Sequence, residues 1–137
     1  MNRILGIDYG DSRIGVSLSD PLKIIATPYK VIENKGIENI INELKYIIND
    51  KSIEAIVIGL PVGFNGEDTN QTKKVRKFKS EISKLKVKIY FEDERLSSVS
   101  AIKSMILENI KTGYNKKMID RRSAALILQQ FLDKNRK

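Results

Sequence analysis

The stretch 4-ILGIDYGDSRIGVSLS-19 decides how the rest of the chain is read. Ile4, Leu5 and Ile7 form an apolar run, Gly6, Gly10 and Gly15 bracket its end, and Arg13 to Leu18 resumes an apolar pattern. A run, a glycine-containing turn and a second run predict a β-hairpin. Asp8 falls in the first arm, where a strand should still be burying its side chains, and an acid there is costly to desolvate unless something pairs with it. A turn aspartate bonded to nearby backbone is the ordinary role beside glycine. The position of Asp8 ahead of the turn residues favours a functional carboxylate.

Working outward, Lys23 to Ile32 supplies a third extended segment, and Pro28 within it points to a sheet edge. Three strands joined by short turns make an antiparallel meander. Gly36 opens a helix with Ile37, Ile40, Ile41, Leu44, Ile47 and Ile48 on one stripe. The β-branched run Ile53 to Ile58 then predicts a buried strand reached through a helical crossover. Gly59 to Gly66 (GLPVGFNG) follows as a loop at that strand's C-terminal end, where α/β sheets place their sites. Val75, Phe78, Ile82 and Leu85 mark a second helix over Asp68 to Leu85. Its other face carries Lys73, Lys74, Arg76, Lys77, Lys79 and Lys84, and both a solvated surface and a phosphate-binding strip fit that pattern.

Val87 to Phe91 is the last expected strand, ending in Glu92-Asp93-Glu94-Arg95. Ser97 or Ser98 can cap a third helix containing Ala101, Ile102, Met105 and Ile106, which Gly113 terminates. A polar connector from Lys111 leads to a final helix from about Lys117 to Leu132. The order βββαβαβαα predicts an α/β fold, a mixed five-stranded sheet with helices, as a single domain over residues 1–137.

The chain contains no histidine and no cysteine, which excludes Ser-His-Asp and Cys-His catalysis and the usual zinc sites. Any metal would need oxygen ligands, and that points to Mg²⁺ or Mn²⁺. Twenty-five Lys+Arg against 17 Asp+Glu give a formal charge of +8, suited to a polyanionic partner, although lysine-rich composition can also be a proteome-wide habit. No apolar stretch approaches the ~20 residues of a transmembrane helix, and no secretory signal opens the chain, so a cytoplasmic protein that does not enter a membrane is expected.

Three acidic positions can meet in this order of elements: Asp8 on the first strand, Asp93-Glu94 after the last, and Asp120 on the final helix. Counting four, seven, eight and eleven residues from Asp120 gives Ala124, Ile127, Leu128 and Phe131, the apolar stripe, so Asp120 belongs to the face that packs on the sheet. Ala124 and Ala125 permit close approach. Unneutralised carboxylates in contact would repel by ~4 kcal/mol per pair at an effective dielectric near 20, and they would take up protons or bind cations. A divalent ion held there could polarise a phosphate oxygen, and two could clamp both oxygens of phosphodiester hydrolysis. Arg13, Arg95, Arg121 and Arg122 lie near these acids in sequence, placed to grip flanking phosphates or to bridge to the acids themselves.

Gly6-Ile7-Asp8-Tyr9-Gly10, Arg13-Ile14-Gly15-Val16, Gly59-Leu60-Pro61 with Gly66, Asp93-Glu94-Arg95-Leu96 and Asp120-x-x-x-Ala124-Ala125-x-x-Leu128-Gln129 together resemble the YqgF family. These are bacterial Holliday-junction-resolvase-like proteins, also described as pre-16S ribosomal RNA nucleases. The resemblance implies a ribonuclease H-like fold, Mg²⁺- or Mn²⁺-dependent phosphodiester cleavage, and cytoplasmic maturation of the 16S rRNA 5′ end. It implies Asp8, Glu94 and Asp120 as catalytic, metal-binding acids, with Asp93 a substitute for Glu94. Where related resolvases carry an acid after the strand equivalent to Ile53–Ile58, this chain has Gly-Leu-Pro, which implies a different metal geometry.

The leading expectation is therefore a metal-dependent nuclease acting on structured RNA, precursor rRNA favoured over junction DNA. Arg13, Arg95, Arg121, Arg122, Lys73, Lys74 and Lys77 would contact the nucleic acid, with monomer and homodimer both open. A non-catalytic RNA-binding or ribosome-assembly module is the second reading. The third is a phosphate-binding ATPase of the actin and sugar-kinase type, which 137 residues leave too little room to complete.

Overall fold

The computed structural model describes residues 2–63, 65–94 and 116–135, with only the backbone of residues 116–120. The elements are β1 (Arg3–Asp8), β2 (Arg13–Ser19), β3 (Ala26–Glu33), α1 (Ile37–Lys51), β4 (Ile53–Leu60), α2 (Asn70–Ile82) with a 3₁₀ turn at Ser83–Leu85, β5 (Lys88–Asp93) and α3 (Lys116–Lys134). They form one five-stranded sheet in the order β3-β2-β1-β4-β5. β1, β2 and β3 pair antiparallel, and β4 runs parallel to both β1 and β5.

The expected meander is present, and Pro28 sits on the edge strand β3, where a missing N–H costs no ladder bond. Gly36 is the residue before α1 at φ 109°, a conformation that only glycine adopts cheaply. Ile40, Ile41, Leu44 and Ile47 are buried, while Ile37 and Ile48 pack at the margin. The second helix begins later than expected. Thr69 caps it, accepting the Thr72 N–H at 3.2 Å while the Thr72 hydroxyl accepts the Thr69 N–H at 2.9 Å. Such a reciprocal cap contributes about 1 kcal/mol.

Two boundaries differ from expectation in a way that matters for the site. β4 does not stop at Ile58: Gly59 and Leu60 pair with Glu92 and Asp93, so the first two residues of the expected loop are strand. β5 likewise continues through Asp93. The expected third helix, its Ser97 or Ser98 cap and Arg95 lie outside the described residues.

The sheet separates two apolar layers. Leu5, Ile7, Ile14, Val16, Ile56 and Ile58 face α1 and α2, whereas Ile4, Ala55 and Val57 face α3, meeting Ile127, Leu128 and Leu132. The alternation along each strand thus assigns every residue of the strand ends to one layer or the other.

Candidate active site

On β1, Ile4 and Gly6 belong to the α3 layer, so the period of two puts Asp8 on that face at the strand's C-terminal end. On β2, Ser17 donates from Oγ to the Ala124 carbonyl at 2.8 Å, and alternation carries Arg13 onto the same face beside the β1 end. On β5, Glu92 contacts Gln130 and Lys134 of α3, and Glu94, two residues on, is buried at 6% exposure. Phe91 lies under Arg76 and Lys79 of α2, so alternation assigns Asp93 to the opposite layer. The strand's pleat therefore separates two acids that are adjacent in sequence: Glu94 shares a face with Asp8, and Asp93 does not.

Gly59 joins the two. Carrying the β1–β4 register one step beyond Ile7–Ile58 sets Gly59 beside Asp8, ~4.8 Å across the ladder. A Cβ built on Gly59 would lie 2.8 Å from Glu94 Oε2 and 2.5 Å from Ile127 Cδ1. The missing side chain is what lets the Glu94 carboxylate lie over β4.

The third acid arrives from above. Gly6 lets α3 sit hard on β1, for a Cβ there would lie 2.7 Å from Leu128 Cβ and 3.0 Å from the Ala124 carbonyl oxygen. α3 runs antiparallel to β1, with Leu132 at the Ile4 end and Ala124 over Gly6. One turn before Ala124, ~6 Å further along, the helix backbone reaches Asp120, and two residues of strand, ~6.6 Å, carry β1 from Gly6 to Asp8. The two displacements match, so the backbone positions of Asp8, Glu94 and Asp120 converge at one end of the sheet. Among the described residues no group of three acids is close enough to hold a metal, and the Asp120 side chain lies outside them.

Three residues that sequence reasoning missed tie β5 to α3. The buried Glu92 carboxylate accepts from Gln130 Nε2 and from Lys134 Nζ at 3.1 Å, and Gln130 also donates to the Asp93 carbonyl at 3.2 Å. The signal was available: Gln130 and Lys134 are one turn apart, and Glu92 shares its strand face with Glu94.

The cations divide sharply. Lys74 pairs with Asp11 at 3.2 Å, and Arg76 grips Asp68 through Nε at 2.9 Å and Nη2 at 3.1 Å, a hydrogen bond that raises the guanidinium pKa. Lys45, Lys73, Lys77, Lys84 and Lys86 make no ion pair among the described residues. Lys73 and Lys77 stand on the exposed side of α2, and Lys45, Lys84 and Lys86 line a groove of about 330 Å³ between α1 and the 3₁₀ turn. Arg121 is half-buried and Arg122 exposed, both near the start of α3.

A mixed sheet of this order with an acidic C-terminal end flanked by α3 has the architecture of ribonuclease H-like resolvases. The chain superposes on Thermus thermophilus RuvC in complex with Holliday junction substrate at a TM-score of 0.59, covering 98% of this chain and 96% of that one at 13% identity. A fowlpox virus resolvase in complex with Holliday junction DNA gives 0.55 over 98% and 99% at 10% identity. Likeness at such identities is likeness of fold, and the fold is α/β, ribonuclease H-like. The model of the family described as "RuvX: Holliday junction resolvase" matches residues 2–134. Relatives named "Putative pre-16S rRNA nuclease" are 43% identical in Desulforamulus reducens, over 98% of this chain and 99% of theirs, and 38% identical in Trichormus variabilis, over 94% and 86%. The chain belongs to the RuvX (YqgF) family.

Proposed function

We propose that Asp8, Glu94 and Asp120 are the metal-binding acids of a nuclease that hydrolyses phosphodiester bonds in the 5′ leader of precursor 16S rRNA, in the cytoplasm. The observation that carries this reading is the Cβ-free cradle of Gly59, over which the buried Glu94 carboxylate lies on the same face as Asp8. The relatives' shared name supports the RNA substrate.

The donor set fits Mg²⁺ or Mn²⁺: without histidine or cysteine the acids offer oxygen ligands, and a Cβ added at Gly59 would crowd the Glu94 carboxylate at 2.8 Å. When bound, such an ion supplies Lewis-acid charge to the phosphate and lowers the pKa of a coordinated water. The chain's own residues bind and orient. Asp8 at the end of β1 and Glu94 just past β5 supply carboxylates, and the backbone of α3 carries Asp120 to the same end of the sheet. Arg13, on the same face, meets the phosphate next to the scissile one, with Arg121 and Arg122 from α3. Lys73 and Lys77, which have no acid partner among the described residues, continue that path down α2; Lys74 and Arg76 are held by Asp11 and Asp68 and contribute less.

The test is cleavage of a labelled 16S precursor leader RNA and of a four-way DNA junction in Mg²⁺ or Mn²⁺, with Asp8→Asn as control. RNA cutting that falls at least 100-fold in the control is expected, as for loss of a group that acts directly in the reaction. Junction cutting alone would keep the chemistry and overturn the substrate. RNA binding without cutting would leave a binding module.

A further inference from the structure

Lys45, Lys84 and Lys86 line the groove of about 330 Å³ together with Ile48, Asn49 and Leu85, and no acid belongs to that lining. A second hollow that shares Lys45 and Lys84 extends it past Asn42 to Glu38. The three lysines are exposed, and none makes an ion pair among the described residues. Acids on the same helix go elsewhere: Glu43 pairs with Lys30 and Asp50 with Lys51. Like charges around one hollow repel, and an anion entering it relieves that repulsion. Lys86 moreover closes the 3₁₀ turn in a left-handed conformation, φ 60°, where glycine would be cheaper.

The groove lies far from the acids. α1 leads through Ser52 into β4, and the 3₁₀ turn leads into β5, so the groove sits at the N-terminal end of these two strands, on the α1–α2 side. β4 runs eight residues, Ile53–Leu60, ~23 Å, and the candidate acids stand at its other end. Cations mark the way between. Lys73 and Lys77 are exposed on α2 with no ion pair among the described residues, and Lys84 follows at an interval of seven, on the same side as the helix enters the turn.

We propose that the Lys45–Lys84–Lys86 groove is an exosite for the sugar-phosphate backbone of the leader RNA, holding a stretch remote from the bond that is cut. The inference rests on the nuclease reading for what lies at the far end of the sheet, while the groove itself requires only a polyanion. The three ammonium groups meet phosphate oxygens as point charges, and Asn49 adds a neutral amide donor. Such contacts position the RNA without reading its sequence.

The experiment changes Lys45, Lys84 and Lys86 together to glutamine. A control chain carries Lys30→Gln, Lys35→Gln and Lys51→Gln, which removes the same charge from lysines held by Glu43, Glu33 and Asp50. Both are compared with the parent in thermal unfolding, in anisotropy with the leader RNA across a range of salt, and in kcat and KM in Mn²⁺. The kinetics use the leader and an oligonucleotide trimmed until it cannot span the sheet. The groove variant is expected to bind the leader about tenfold or more weakly at physiological salt, with a salt slope smaller by about 2–3. KM on the leader should rise while kcat holds, and the trimmed RNA should be cut as the parent cuts it. Unchanged affinity would overturn the proposal, as would an equal loss in the control chain, which would mean net charge alone. An equal loss on the trimmed RNA would also overturn it, and so would a binding loss seen only where the fold is lost. If the parent binds the leader without cutting it, affinity and salt slope decide by the same criteria. Failure of the nuclease reading shows separately, as an Asp8→Asn variant that cuts as well as the parent.

Discussion

Gly6 and Gly59 both sit in strands beneath α3, yet a methyl group added to each meets different matter. At Gly6 it meets Leu128 Cβ at 2.7 Å and Ser17 Oγ at 2.3 Å, the latter bonded to the Ala124 carbonyl, so the helix itself must shift. At Gly59 it meets the far ends of two side chains, Ile127 and Glu94, which can swing away. Gly6→Ala should therefore cost stability, about 1–3 kcal/mol as for other overpacked sites. Gly59→Ala should cost less stability and more activity, because the atom it displaces is a Glu94 carboxylate oxygen. Urea unfolding and leader-RNA cleavage on both variants check the contrast, and equal effects in both assays would deny Gly59 its special place. The sequence could not show this. Gly6 reads there as hairpin punctuation and Gly59 as the start of a loop, because the contacts of both with a helix more than sixty residues further on leave no local trace.

At the scale of elements, α3 is the part that assembles the site, and what holds its far end is the Glu92–Gln130–Lys134 cluster. Removing one partner of a buried charge is more costly than removing both. Lys134→Met should thus destabilise by about 1–3 kcal/mol, leaving Glu92 to Gln130 alone. Adding Glu92→Gln should recover most of that loss, a coupling read from a double-mutant cycle by urea unfolding. Additive losses would mean that the bridge contributes nothing. The stripe Ala124, Ile127, Leu128 was legible from its helical period, and so was that of α1, because burial on one face imposes it. The alternation in β5 was equally present, yet Asp93 and Glu94 read as interchangeable while the strand was thought to end at Phe91. Two more residues of pairing separate them.

Across the whole molecule, the candidate acids and five lysines without an ion pair among the described residues occupy different faces of one sheet. Asp8, Glu94 and the α3 backbone at Asp120 gather at the strand ends on the α3 side, while Lys73, Lys77 and the Lys45–Lys84–Lys86 groove lie on the side of α1 and α2. A strand cut at the first and held by the second crosses the C-terminal edge of the sheet. The formal charge of +8 foretold a polyanion but not this division, which depends on which cations Asp11, Asp68 and the other acids neutralise. The measurement that bears most directly on the central claim is the Mn²⁺-induced rise in melting temperature for Asp8→Asn, Glu94→Gln, Asp120→Asn and Asp93→Asn. A metal bound at 100 times its dissociation constant stabilises the parent by about 2.7 kcal/mol. The first three variants should lose most of that rise, and Asp93→Asn, on the opposite face, should keep it. Loss in Asp93→Asn with retention in Glu94→Gln would contradict the assignment of the site to the α3 face.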